Sequence, residues 1–270
     1  MKPLLPLLAL MALMTSATAA DAPPQQPWSF DGVFGTYDRG AVQRGFQVYK
    51  EVCATCHSLN LVAFHDLGGL GFSEVQVKAI AAGYKIAAEP DLRGEIFDDK
   101  GNRLTRPGVP SDRLTPPFDN EAAARAANNG ALPPDLSLIV KARPGGADYV
   151  YALLTGFDRK PPPGFALLGG KYYNPYFAGG AIAMPPPLNP DSVAFSDGTP
   201  ASVANEAKAV AAFLAWTSDP NLEARHRIGF QVMAFLVLLA GLMALSYRKL
   251  WYGRKKDSPE TGDPDTLSGG

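Results

Sequence analysis

The chain has 270 residues, 46% of them hydrophobic and 19% charged, and a formal net charge of -1. It can therefore bury a core and is not a disordered tail, and it offers no basic field for nucleic acid. Its two cysteines exclude a disulfide-rich scaffold and a four-thiolate zinc site.

Residues 1–20, MKPLLPLLALMALMTSATAA, read as a secretory signal peptide. Lys2 gives the positive start, Leu4 to Met14 an apolar run too short to span a bilayer, and Ala17-Thr18-Ala19 a small-residue cleavage pattern. An uncleaved anchor is the alternative, and the short run disfavours it. Residues 21–227 form the exported portion, with 19 Lys+Arg and 22 Asp+Glu, slightly acidic. It opens on a Pro-rich polar segment, Asp21 to Gln26.

Ala41 to Val52 reads as a helix with Val42, Phe46 and Tyr49 on one face. Gly45 on that helix costs about 1 kcal/mol against Ala, and a glycine there permits a close helix crossing. Ser73 to Ala82 is a second helix, with Ser73 as a candidate cap. Glu89 to Pro117 is polar and Pro-punctuated, hence loop; its acids Glu89, Asp91, Glu95, Asp98 and Asp99 crowd around Arg93. A solvated loop is the simpler reading, and an electrostatic guide for a basic partner the functional one. Asn120 to Asn128 and Ala147 to Leu154 are short helices, the latter stopped by Gly156. Phe157 to Pro190 is a long Gly/Pro/aromatic loop. Ala201 to Trp216 is an amphipathic helix carrying Val203, Val210, Phe213 and Leu214, with Pro220 beyond its end.

Ile228 to Tyr247 is an uncharged apolar stretch of 20 residues, about 30 Å as a helix, which matches the hydrocarbon core of a bilayer. Arg248, Lys249, Arg254, Lys255 and Lys256 follow, with Trp251 and Tyr252 as interfacial anchors. By the positive-inside rule residues 248–270 are a cytoplasmic tail. The expected architecture is a mainly α domain with long ordered loops on the periplasmic side, tied to the membrane by one C-terminal transmembrane helix. Gly and Pro, 27 and 25 residues, make nearly a fifth of the chain. A loop as long as residues 157–190 is easiest to explain if it wraps something that is not protein.

Cys53-Ala54-Thr55-Cys56-His57 is the C-x-x-C-H pattern of c-type haem attachment. The two thiols add to the haem vinyl groups, and His57 then becomes the proximal iron ligand. A thioredoxin-like redox pair is an alternative, but it expects a preceding strand in a βαβ unit, and a helix precedes this motif. A zinc site lacks further cysteines, and a disulfide across two residues is strained.

The sixth ligand follows from elimination. Met1, Met11 and Met14 lie in the signal, and Met233 and Met243 in the apolar span, which leaves Met184 followed by Pro185, Pro186 and Pro187. The prolines stiffen the backbone that would hold its thioether. A gap-filling core methionine is the plainer alternative. His65 is close to His57 in sequence, and His226 sits between Arg225 and Arg227 at the membrane boundary; both are weaker candidates. His/Met ligation gives a closed, relatively high-potential iron. Arg143 is a candidate donor to the haem propionates, with an ordinary surface arginine as the alternative.

In order along the chain, Arg44-Gly45-Phe46-Gln47-Val48-Tyr49 runs into CATCH and is followed by Ala131 to Ser137 (ALPPDLS), Lys141-Ala142-Arg143 and Asp148-Tyr149-Val150. Then come Tyr172 to Phe177 (YYNPYF), Met184 with its prolines, Asp197 to Ala201 (DGTPA) and the C-terminal anchor. This set resembles the cytochrome c1 family, the haem subunit of the ubiquinol–cytochrome c oxidoreductase (bc1) complex, over nearly the whole mature chain.

The resemblance implies one covalent haem c on Cys53 and Cys56, with His57 and Met184 as axial ligands. It implies Arg143 and Tyr149 near the propionates, and Pro133 and Pro134 lining the pocket. It further implies a one-electron relay from the Rieske iron–sulfur protein to a soluble or anchored cytochrome c, with cytochrome b as membrane partner in a dimeric complex. The chain would catalyse no reaction alone. The expected location is a bacterial inner membrane. One departure matters: some bacterial members brace the Met-side loop with an extra Cys pair, which this chain lacks. The alternatives are an anchored monohaem cytochrome serving another oxidase or reductase, a tethered thiol–disulfide oxidoreductase, and a haem sensor with an exchangeable ligand.

Overall fold

A computed structural model of the chain describes residues 20–90, 93–167 and 169–256. The signal reading over residues 1–19, Asp91 of the acidic loop and the end of the tail, residues 257–270, lie outside the described residues. The chain divides into two units, one ending at Pro220 and one beginning at Asn221.

Local signals start and stop the helices of the first unit. Helix α1 (Arg39–Glu51) is capped by the Asp38 side chain, which accepts from the Ala41 N–H. Helix α2 (Glu74–Ala82) begins with a capping box in which Ser73 and Gln76 satisfy each other's backbone N–H groups. Asn120 caps α3 (Glu121–Ala127). Helix α4 (Gly146–Thr155) ends at Gly156, and α5 (Val203–Ser218) is capped by Ser202. Each lies within a few residues of the reading from sequence.

The core is built on α5, which packs against both α1 and α4. Val42, Phe46 and Tyr49 point inward from α1, as their spacing predicts. Phe213 receives Phe46 and Tyr49 at ring-centroid distances of 5.7 and 5.8 Å, and stacks on Trp216 at 6.0 Å. Gly45 is where α1 and α5 cross. A Cβ there would collide with the Ala209 carbonyl and lie 2.6 Å from Cβ of Phe213. Only a residue without a side chain lets the two backbones meet so closely.

Helix α5 departs from the amphipathic expectation. From Glu206 to Ser218 every residue except Lys208 is buried. The reason is its position between two helices and under the connecting loops; its many alanines let neighbours close in on all sides.

Two short antiparallel ladders add strands, three of the four within the regions read as loop. Strand β1 (Lys85–Ala87) pairs with β2 (Thr105–Pro107), and β3 (Tyr172–Tyr173) pairs with β4 (Ala181–Ile182). Strands of two or three residues are too short to show alternation in sequence. The Arg106 guanidinium clasps Asp112 through two bonds of 2.6 and 2.8 Å and closes the first hairpin onto the following turn.

The second unit holds α6 (Leu222–Lys256). Its Leu222–Tyr252 portion is long and apolar enough to cross a membrane, and none of its most apolar window is buried. The helix exceeds the apolar stretch at both ends because Leu, Glu, Ala, Arg and Lys flank it, all good helix formers.

Candidate haem site

Helix α1 delivers the C-x-x-C-H motif. After Glu51 the chain tightens into a 3₁₀ turn over Cys53–Thr55. The N–H groups of Cys56 and His57 both reach the Cys53 carbonyl, at 3.1 and 2.9 Å, so both thiols and the imidazole sit on one compact turn. Both thiols are free. Burial, and then the neighbouring Cys56, push the Cys53 thiol up to about 12. A protonated, partly covered thiol is the opposite of the low-pKa thiolate of a redox enzyme. The described residues also contain no strand before the motif and no βαβ unit, which tells against the thioredoxin-like alternative. The zinc alternative fails as well: among the described residues no group of three or more His, Cys, Asp or Glu side chains is arranged to hold a metal ion.

The imidazole is oriented from across the fold. His57 Nδ1 lies 2.8 Å from the Pro134 carbonyl oxygen. A carbonyl only accepts, so Nδ1 carries the proton and Nε2 keeps its lone pair for a metal. Burial lowers the His57 pKa, against the raising effects of the Pro134 carbonyl and of Asp135, so the ring is neutral near physiological pH. The Tyr49 hydroxyl donates to the His57 carbonyl at 3.1 Å. Pro133 joins Cys56 in lining a cleft of about 250 Å³ with Leu132 and Phe118.

Asp135 holds the two halves together. Its Oδ2 accepts from Ser58 Oγ at 2.8 Å and from the Asn60 N–H at 2.7 Å; its Oδ1 accepts from the Ser137 N–H at 2.9 Å. The Leu136 N–H donates to the Ser58 carbonyl, and Ser137 Oγ accepts from the Leu61 N–H. Ser218, at the end of α5, donates to the Ser137 carbonyl at 3.2 Å. Residues 133–137 are therefore clipped onto residues 57–61 and onto the core.

Met184 is half-buried and lies two residues past β4. Its hairpin is fastened by the buried Asn174, whose Nδ2 donates to the Leu153 carbonyl of α4 at 2.7 Å and whose Oδ1 accepts from the Tyr176 N–H at 3.1 Å. Phe165 packs edge-on against Tyr173 at 5.1 Å. Gly156 completes the joint, since a Cβ there would lie 2.8 Å from the Tyr176 ring. In place of a Cys pair, the Met-side loop is braced by an amide and by aromatic packing.

The structure thus brings Cys53, Cys56, His57, Pro133 and Pro134 into one place. Arg143 is exposed, and its guanidinium donates to the Ala142 carbonyl. Tyr149 is half-buried on α4, beside the loop Gly145. His65 is exposed and engages the Pro110 carbonyl and Asp66, and His226 lies on α6 in the second unit. Asp98 of the acidic loop is used internally, accepting from the N–H groups of Lys100 and Asn102. Reading the sequence for chemistry missed Asp135 and Asn174. The only local trace of the first is an aspartate two residues before a serine whose N–H it takes, the pattern of an Asx turn.

The donor set fits a c-type haem: two free thiols on one turn, a neutral imidazole with Nε2 available, and a thioether on a braced loop. Residues 28–254 match the Cytochrome C1 family. The chain is 46% identical over 237 residues to the cytochrome c1 of Rhodospirillum rubrum, covering 82% of this chain and 85% of that protein. It is 48% identical over 227 residues to cytochrome c1 2, heme protein, mitochondrial, of Arabidopsis thaliana, covering 84% of this chain and 71% of that protein. It is 49% identical over 250 residues to the cytochrome b/c1 of Bradyrhizobium diazoefficiens, covering 85% of this chain and 35% of that relative, about a third of its length.

Proposed function

The chain belongs to the cytochrome C1 family, and on that premise we propose that it is the electron-carrying haem subunit of a cytochrome b-c1 complex. It holds one covalent haem c. When bound, that group would supply one-electron redox chemistry. The rest is the work of the chain's own residues. Cys53 and Cys56 anchor the macrocycle through thioether bonds. His57 Nε2 and the Met184 sulfur would hold its iron from the two segments, and a closed ligand set would keep external molecules off it. Arg143 and Tyr149 supply donors to the propionates, and Pro133 and Pro134 wall the pocket. The Pro134 carbonyl fixes the tautomer and plane of His57.

The observation that carries this reading is the turn bearing both thiols and an imidazole whose Nδ1 is held from across the fold. The chain makes and breaks no substrate bond by itself. The Rieske iron–sulfur protein is its electron donor and a soluble or anchored cytochrome c its acceptor, with cytochrome b as its neighbour in the membrane and the complex a dimer. Helix α6 anchors the chain in the membrane. The signal over residues 1–20 is removed, and residues 21–227 face the periplasm of a bacterial inner membrane. Residues 228–247 cross the bilayer, and residues 248–270 are cytoplasmic, an orientation that the cations after Tyr247 favour.

The test is a haem stain of the denatured chain, together with a reduced-minus-oxidised spectrum of the membrane fraction and co-purification with cytochrome b and a Rieske protein. A chain that is colourless, or whose chromophore is extracted by acid acetone, overturns the reading. A stained chain that purifies with a different oxidase or reductase assigns it to another anchored cytochrome.

A further inference from the structure

The Asp135 carboxylate touches both sides of the joint on which His57 depends. Its three partners come from two separate segments: Ser58 and Asn60 just after His57, and Ser137 just after Pro134. All three donors lie between 2.7 and 2.9 Å, the range of well-formed bonds to a carboxylate. The Asn60 and Ser137 bonds come from backbone N–H groups, which cannot rotate away. Remove the carboxylate, and its bonds from Ser58, Asn60 and Ser137 are lost, while the Leu136 N–H to Ser58 carbonyl bond and the Leu61 N–H to Ser137 Oγ bond still join residues 133–137 to residues 57–61. The Pro134 carbonyl is then held less firmly opposite the imidazole.

The carboxylate is also a fixed charge. Burial raises its pKa, but the bonds from Asn60, Ser137 and Ser58 outweigh that and hold it below the usual carboxylate range, so it stays ionised. Its charge acts directly on the His57 ring. A negative charge beside an axial ligand favours the form with the greater positive charge, which is the oxidised one.

We propose that Asp135 is a positioning residue for the electron-transfer site: it locks the Pro134 carbonyl onto His57 and, through its charge, holds the reduction potential down. This rests on the haem reading above, with His57 as a ligand.

The experiment uses the full chain in its membrane, comparing Asp135→Asn with the parent. The amide keeps the shape, removes the charge, and turns one acceptor into an NH₂ group facing an N–H. Three quantities are read: covalent haem stain, midpoint potential by redox titration, and the low-spin paramagnetic resonance signal of the oxidised form. The expected result is a stained chain with a raised potential and a broadened signal, because the ring no longer has one orientation. A stained chain whose potential stays or falls overturns the proposal. If Asp135→Asn yields no stained chain, Ser58→Ala is measured instead. It removes one side-chain donor and leaves charge and backbone bonds in place. A broadened signal supports the proposal, and an unchanged one overturns it. Failure of the haem reading shows separately, since the parent itself would then lack the stain or the low-spin signal.

Discussion

His57 Nδ1 and the Pro134 carbonyl oxygen lie 2.8 Å apart across 77 residues of chain. That contact closes a long loop, and closing it has an entropic cost that grows slowly with loop length. The cost is offset by the bonds around Asp135 and by the burial of Leu136 and Ser137. The orientation of His57 is therefore built into the fold by the chain's own contacts.

On the proposed reading, the distal ligand is Met184. Met184→Leu keeps both thiols and is expected to keep the covalent haem. It should lower the midpoint potential by on the order of 0.1 V, a fraction of the roughly 0.8 V that axial ligands command. The reduced variant should bind carbon monoxide, which the parent should not. A variant with native potential and spectrum would remove Met184 as the ligand.

Asn174 secures the hairpin that precedes Met184. Asn174→Ala leaves the Leu153 carbonyl and the Tyr176 N–H without their partners in a buried place, at a cost of about 1–3 kcal/mol each where water cannot reach. Limited proteolysis of the variant should cut within residues 174–183 under conditions that spare the parent.

The crossing of α1 and α5 tolerates no side chain at position 45. Gly45→Ala forces a methyl against the Ala209 carbonyl and should destabilise the domain by about 1–3 kcal/mol or more, since backbone cannot swing aside. Gly68→Ala is the control. Nothing lies within 4 Å of a Cβ there, so its unfolding midpoint should match the parent's.

Glu206 is fully buried; its Oε1 accepts from the Val193 N–H at 3.2 Å, and its Oε2 has no hydrogen-bond partner. Burial raises its pKa above 4.5. A raised pKa means that the protonated form suits the fold: this contribution is complete at low pH and is lost as pH rises through the folded value. Glu206→Gln should therefore be at least as stable as the parent at pH 7. Melting curves taken downward in pH should converge below about pH 4.

Asp112 and Asp197 work in the opposite sense. The Arg106 guanidinium, with the Val109 N–H, holds Asp112 down to about 2. The Thr199 backbone N–H first, and then Arg44, hold Asp197 down to about 2. Depressed values give stability that is present above the ordinary value of 3.8 and is lost as pH falls toward 2. Asp112→Asn combined with Asp197→Asn should lower the melting temperature at pH 7. The double variant should then lose less than the parent between about pH 4 and pH 2.

The sequence by itself determined the helices, their caps and the cofactor chemistry. Ser73 with Gln76, Asn120, Ser202 and Gly156 act within three or four residues of their own positions, and C-x-x-C-H is a five-residue unit. The close crossing at Gly45 was legible as a possibility, because a glycine on a helix face is costly without a reason. Only the tertiary structure decided that α5 would be buried nearly all round, since its alanines carry no polarity to mark an inner face. Only it decided that Pro134 would face His57, that Asp135 would join the two segments, and that Asn174 would reach Leu153. Those are hydrogen bonds between groups distant in the chain, and a donor or acceptor carries no sign of its partner until the backbone has brought the two within 3 Å.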